Sequence, residues 1–151
     1  MAGEEPKRPV SVLVVDDEVV ICSVLSELLT DFGFDVTTAT TGTEGDAKLS
    51  DGLFDILITD KNLPGIDGIE LSRRAKARDA DIEIILITGY PSSESIEEAY
   101  RIGVSTYLTK PFDNIQDVRD KVVLAVERRR QRVEEARISS ETHAVLHAKK
   151  S

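Results

Sequence analysis

Five short apolar runs punctuate the chain, at residues 10–15, 35–40, 55–60, 83–88 and 105–109, and between them apolar residues recur at helical spacing. The first, third and fourth runs are almost continuous Val, Ile and Leu, as expected of central strands covered on both faces. Asp35-Val36-Thr37-Thr38-Ala39-Thr40 is more polar and fits an edge strand. Five strand-like runs alternating with helix-like ones predict an α/β fold: a parallel sheet with helices on both faces.

The helical segments follow from their spacing and their stops. Val20, Val24 and Leu28, with Ile21, Leu25 and Leu29 beside them, predict a first helix with a broad apolar face, ended by Gly33. A second runs from about Thr43 to Leu49, and a third from about Gly68 to Ala77, burying Ile69, Leu71 and Ala75. Ser92 or Ser93 caps a fourth, whose Ile96, Ala99, Tyr100 and Ile102 turn inward before Gly103 stops it. The fifth begins near Asp113-Asn114 and carries Ile115, Val118, Val122, Ala125 and Val126 on one face.

Beyond Val126 the residues from Glu127 to Arg137 are good helix formers with few apolar positions, so the fifth helix is expected to project past the domain. Arg128 to Arg132 then form a solvated face balanced by Glu134 and Glu135. From Ile138 onward, Ser, Thr and Lys predict fraying or disorder. The expected organisation is a flexible N-terminus over 1–9, one domain over 10–126, and a helical extension and tail over 127–151.

Charge and composition narrow the function. The chain of 151 residues carries a formal charge of −9, unevenly placed: residues 1–118 hold 10 Lys/Arg against 23 Asp/Glu, and residues 119–151 hold 9 against 5. So acidic a body argues against nucleic acid as a direct partner. No apolar run approaches the roughly 18 residues needed to cross a bilayer, and Met1 to Pro9 lacks the apolar core of a signal peptide, so a cytoplasmic protein without membrane attachment is expected. The lone Cys22 lies in an apolar stretch and is expected to be an inert core thiol.

Four of the apolar runs end on polar groups suited to phosphate chemistry: the first on Asp16-Asp17-Glu18, the third on Asp60, the fourth on Thr88-Gly89 and the fifth on Lys110-Pro111. In a parallel sheet these endings share one edge, where open α/β sheets bind ligands. If the first and third strands flank the crevice, Asp16, Asp17 and Asp60 converge, and two carboxylates about 4 Å apart repel by about 4 kcal/mol at an effective dielectric of about 20. Three ionised together call for a cation; Mg2+ suits a few carboxylates, a backbone carbonyl and several waters. Lys110 adds a positive charge for a phosphoryl oxygen.

Asp16-Asp17, Asp60 followed by Asn62-Leu63-Pro64-Gly65-Ile66-Asp67-Gly68, Thr88-Gly89, Tyr107 and Lys110-Pro111 together resemble the receiver domain of two-component response regulators. The resemblance covers residue 10 to about 126, with Leu63 standing where the family often has methionine. It implies a doubly wound, flavodoxin-like, five-stranded sheet of order 2-1-3-4-5. It further implies that Asp60 takes a phosphoryl group from a phosphohistidine on a histidine kinase or phosphotransfer protein. Asp17, Asp60 and the backbone carbonyl of Asn62 would ligate Mg2+ directly, Asp16 partly through water. Lys110 would meet a phosphoryl oxygen, aimed by a cis bond to Pro111. Thr88 would bind the acquired group and Tyr107 would rotate into the vacated space, switching the surface of the fourth helix, fifth strand and fifth helix toward a downstream protein target. Gly89 would leave the site open, and Asn62 and Tyr90 would tune autodephosphorylation. That same surface, or the C-terminal helix, could carry a homodimer.

Two other functions compete with a switch of this kind. A constitutive scaffold would use the same fold without phosphate. A turnover hydrolase would need a second acid or base beside its nucleophile, and the two histidines, His143 and His147, both fall in the C-terminal extension. Their four-residue spacing is metal-capable, but without a third ligand nearby it is not expected to bind one. The C-terminal stretch of roughly thirty residues is too short for a helix-turn-helix domain, so the expectation is either action by protein contact alone or a chain that is part of a larger regulator.

Overall fold

The computed structural model describes residues 8–150, with side chains to Val145; residues 1–7 and the side chain of His147 lie outside that description. Five strands, β1 (Ser11–Val15), β2 (Asp35–Ala39), β3 (Ile56–Asp60), β4 (Glu83–Thr88) and β5 (Thr106–Thr109), form one sheet of order β2-β1-β3-β4-β5. Every pairing is parallel. The winding therefore reverses between β1 and β3, and the crevice expected at a switch point opens at their C-terminal ends.

Five helices cover the sheet: α1 (Val19–Asp31), α2 (Gly42–Asp51), α3 (Gly68–Arg78), α4 (Ser93–Arg101) and α5 (Gln116–Lys150). Successive strand residues point to opposite faces, so each central strand feeds two cores. Leu13, Val15, Leu57, Ile84 and Leu86 pack with Leu49, Leu71, Ala75 and Ala99 of α2, α3 and α4. Val12, Val14, Ile56, Ile58, Ile85 and Ile87 pack with Cys22, Leu25, Leu29, Val118, Val122 and Ala125 of α1 and α5. Each fully buried Leu or Ile contributes roughly 2 kcal/mol by area, so these two layers hold the strand ends in place.

Local sequence sets most boundaries. Gly33 and Gly103 take positive φ values of 105° and 100° next to Phe32 and Ile102, the C-caps of α1 and α4. Thr41, Asp67 and Ser92 accept N-terminal backbone hydrogen bonds for α2, α3 and α4. Helix α2 starts one residue earlier than expected, because Thr41 is the cap, and runs two residues past Leu49 to Asp51. Helix α5 starts at Gln116, since the Asn114 side chain accepts the Gln116 N–H at 2.9 Å and forms a turn first.

Four sequence expectations are corrected. Val20 and Val24 are not core residues: they are 73% and 41% exposed, and α1 buries Cys22, Leu25 and Leu29 instead. More than half of that helix's circumference is apolar, so periodicity alone does not say which stripe meets the sheet. Tyr100 is likewise exposed on α4, which turns Ser95 and Ala99 inward. Helix α5 continues through Lys150 rather than fraying at Ile138, with Arg137 bracketed by Glu134 and, at 2.6 Å, Glu141. The basic turn of α5 is not balanced by Glu134 and Glu135: Arg128 and Arg132 pair with Glu83 of β4, and Arg129 with Asp55 and Asp79.

Candidate phosphate and metal site

Sheet register delivers the functional side chains to one edge. Val15 pairs with Thr59, so the next residues, Asp16 and Asp60, stand side by side. Thr88 pairs with Thr109, which places Lys110 beyond the end of β5 and next to the same crevice. The Lys110–Pro111 bond is cis, as the resemblance implied. Asp16 and Asp60 are buried and Asp17 is exposed, and carboxylate oxygens of all three lie within 4.8 Å of one another.

Lys110 partly neutralises this cluster. Its Nζ lies 2.7 Å from Asp16 Oδ2, 2.7 Å from Glu18 Oε2 and 2.9 Å from Asp60 Oδ2. Burial works against the ammonium, but the close ion pair with Asp16 and the hydrogen bonds to Glu18 and Asp60 outweigh it and hold the lysine pKa well above its usual value. Burial pushes the Asp16 carboxyl up, and the contact with Lys110 and the Glu18 N–H only partly offset that. Asp16 Oδ2 is buried and has no aligned hydrogen-bond donor, close as Lys110 is. An under-satisfied buried oxygen in a set of hard carboxylate donors fits a divalent cation.

The remaining residues surround these acids in an open cleft of about 610 Å3 whose walls include Asn62, Gly89, Tyr90 and Pro111. Asn62 N–H donates to Asp60 Oδ1 at 3.0 Å, and its side-chain amide donates to Thr88 Oγ1 at 3.2 Å. Thr88, fully buried, also accepts the Tyr90 N–H at 3.0 Å. The Tyr90 side chain is 81% exposed at the rim. Tyr107 is half-buried, and its hydroxyl lies 3.0 Å from Ser95 Oγ at the start of α4. The structure thus brings every expected site residue to one sheet edge except Tyr107, which stands one layer behind Thr88.

Three roles escaped the sequence reading. Glu18 binds Lys110; the only hint was its place after two aspartates. Ser95 ties Tyr107 to α4 while completing a capping box with Ser92. Gly68 seats α3 against the nucleophile's strand: a Cβ there would stand 2.1 Å from the Asp60 carbonyl oxygen, and the Gly68 N–H donates to Lys61 O at 2.8 Å. Only the close backbone approach reveals that role.

Comparison with known proteins agrees with this geometry. The sequence profile described as "Response regulator receiver domain" matches residues 12–123. The chemotaxis protein CheY of Pseudomonas aeruginosa is 37% identical over 120 residues, covering 78% of this chain and 96% of that protein. Sporulation initiation phosphotransferase F of Bacillus subtilis is 33% identical over 111 residues, 74% of this chain and 89% of that protein. The transcriptional regulatory protein ZraR of Escherichia coli is 33% identical over 116 residues, and there the chain spans only 26% of the relative's length. Among solved structures, a CheY-like receiver from Methanospirillum hungatei superposes with a TM-score of 0.80 at 28% identity, covering 83% of this chain and 99% of that one. The response regulator TrrA of Thermotoga maritima, in complex with Mg(2+)-BeF, gives 0.69 at 33% identity over 77% and 98% of the two chains.

Proposed function

The chain belongs to the response regulator receiver family, the signalling switches of two-component systems, and on that premise we propose that Asp60 accepts a phosphoryl group from a phosphohistidine. The observation that carries the reading is the Asp16, Asp60 and Lys110 contact at the mouth of the β1–β3 crevice. An Asp60 carboxylate oxygen attacks phosphorus in line, the bond to the histidine nitrogen breaks, and the imidazole of the donor protein leaves with that electron pair. Lys110 is already within hydrogen-bond distance of Asp60 Oδ2 and, staying protonated, shifts its ion pair to a phosphoryl oxygen. Asp16, Asp17, Asp60 and the Asn62 carbonyl would hold Mg2+, which when bound supplies positive charge to the phosphoryl oxygens. The TrrA complex with Mg(2+)-BeF supports that choice of ion.

Signal output starts from Thr88. Its hydroxyl, now accepting from Asn62 and Tyr90, turns to donate to a phosphoryl oxygen and draws in the end of β4. Tyr107 then leaves Ser95 for the vacated space, and the α4–β5–α5 surface changes shape for a downstream protein or a second copy. Gly89 keeps the approach open, while Asn62 and Tyr90 at the cleft rim set how readily water reaches the phosphoryl group and so the rate of autodephosphorylation. We place the chain in the cytoplasm, where a phosphohistidine donor and a downstream protein would meet it. Among the described residues no helix is long and apolar enough to cross a membrane.

Beryllofluoride with Mg2+ should occupy Asp60 and shift the Thr88 and Tyr107 resonances in an NMR titration, and Asp60→Asn should remove both shifts. An unchanged wild-type spectrum would contradict the proposal.

A further inference from the structure

Helix α5 outruns the sheet, yet its basic turn is engaged at the edge opposite Asp60. Arg128 Nε and Arg132 Nη1 both reach Glu83 Oε1, at 3.2 and 3.4 Å, while Ser105 Oγ donates to Oε2 of the same residue. Arg132 Nη2 also donates to the Asp81 carbonyl at 2.9 Å, and Arg129 Nε to Asp55 Oδ1 at 3.1 Å. The Glu83 side chain is 2% exposed, whereas those of Arg128 and Arg132 are 43% and 41% exposed. A carboxylate sunk that deeply is costly unless a counter-charge stays in place, so the arginines are held by the body and not merely near it. Arg130, on the other side of the helix, instead pairs with Glu127 of α5 itself at 3.5 Å.

The strands gripped here matter. Glu83 opens β4, whose other end is Thr88, and Arg128 Nη2 also donates at 3.4 Å to Thr106 Oγ1, the β5 residue beside Tyr107. We propose that Arg128 and Arg132, closed on Glu83, form an ionic dock that fixes the direction in which residues 133–150 leave the receiver. The helix then moves with β4 and β5 as one body. Eighteen helical residues span about 27 Å, so a tilt of about 10° at the dock displaces their end by about 5 Å. Arg129, paired with Asp55 and Asp79, braces the neighbouring face of the same turn, whereas the exposed ion pairs further along, Arg137 with Glu134 and Glu141, lie within the helix and do not tie it to the receiver. The proposal concerns the resting geometry and does not require Asp60 to accept phosphate.

Nitroxide labels on Ser50→Cys in α2 and Ser140→Cys in α5, in a Cys22→Ala background, report the direction of the extension through their distance distribution. The dock predicts a single narrow distribution in that background and one at least twofold broader, or displaced, in Arg128→Gln/Arg132→Gln and in Glu83→Gln. Arg130→Gln should leave the distribution unchanged. Because Glu83→Gln alters a buried position, the double arginine variant, confirmed folded by circular dichroism, decides alone if Glu83→Gln unfolds. A parent distribution as broad as the variant's, or a variant as narrow as the parent, overturns the dock.

Discussion

Asp16 carries a charge that the metal-free protein holds at a cost. Burial raises its pKa above 3.8 in spite of Lys110 2.7 Å away, so folding favours the protonated form. A raised acid pKa contributes stability at low pH that is lost as pH rises through the folded value. Asp16→Asn should therefore match the parent in stability below about pH 3.8 and become progressively more stable than it above, without Mg2+. Denaturant melts of the two proteins across that range test this; a constant difference, or one favouring the parent, would show that Lys110 compensates fully. Gly68 gives a steric counterpart. Gly68→Ala drives a Cβ to 2.1 Å from the Asp60 carbonyl and should cost about 2–3 kcal/mol and slow phosphoryl uptake, while Gly89→Ala, with nothing within 4 Å, should be near neutral in stability. Asp16, Asp60, Thr88 and Lys110 were legible in sequence because each terminates an apolar run. Glu18, Ser95 and Gly68 were not, because their roles come from contacts between segments that no local pattern encodes.

At the scale of elements, the strands were readable almost to the residue: β1, β3 and β4 are apolar runs buried along their whole length, and the partly exposed edge strands β2 and β5 stand out by their polar residues. Helix faces were harder. In α1 the apolar positions wrap past one face, and in α4 the polar Ser95 is buried while Tyr100 is exposed. That serine couples two elements: Ser95 Oγ contacts Ser92 in the cap of α4 and Tyr107 on β5. Ser95→Ala should cost about 1 kcal/mol through the lost cap bonds and loosen the Tyr107 ring toward the space beside Thr88. Denaturant melts and Tyr107 ring resonances read the two effects; a destabilised protein with unchanged ring signals would show that Ser95 caps the helix without holding the aromatic. The α5 extension was predicted as helix from its formers, but its anchorage on Glu83 and Asp55 was hidden, because partners 45 and 74 residues distant from Arg128 and Arg129 leave no mark on local composition.

Over the whole molecule, topology performs the decisive step. Because the chain enters the sheet at β1 and winds outward in both directions, residues separated by up to 94 positions, from Asp16 to Lys110, meet within 2.7 Å. The strand order itself came from the family resemblance, and the alternation of runs fixed only the class of fold. What the assembled edge does is tested most directly by intact-mass analysis after treatment with a small phosphodonor and Mg2+, with peptide mapping of the modified site. Wild type should gain one phosphoryl group, located on Asp60, dependent on Mg2+ and greatly reduced in Lys110→Ala, and Asp60→Asn should gain none. Equal incorporation in Asp60→Asn, or none in folded wild type, would contradict the central claim.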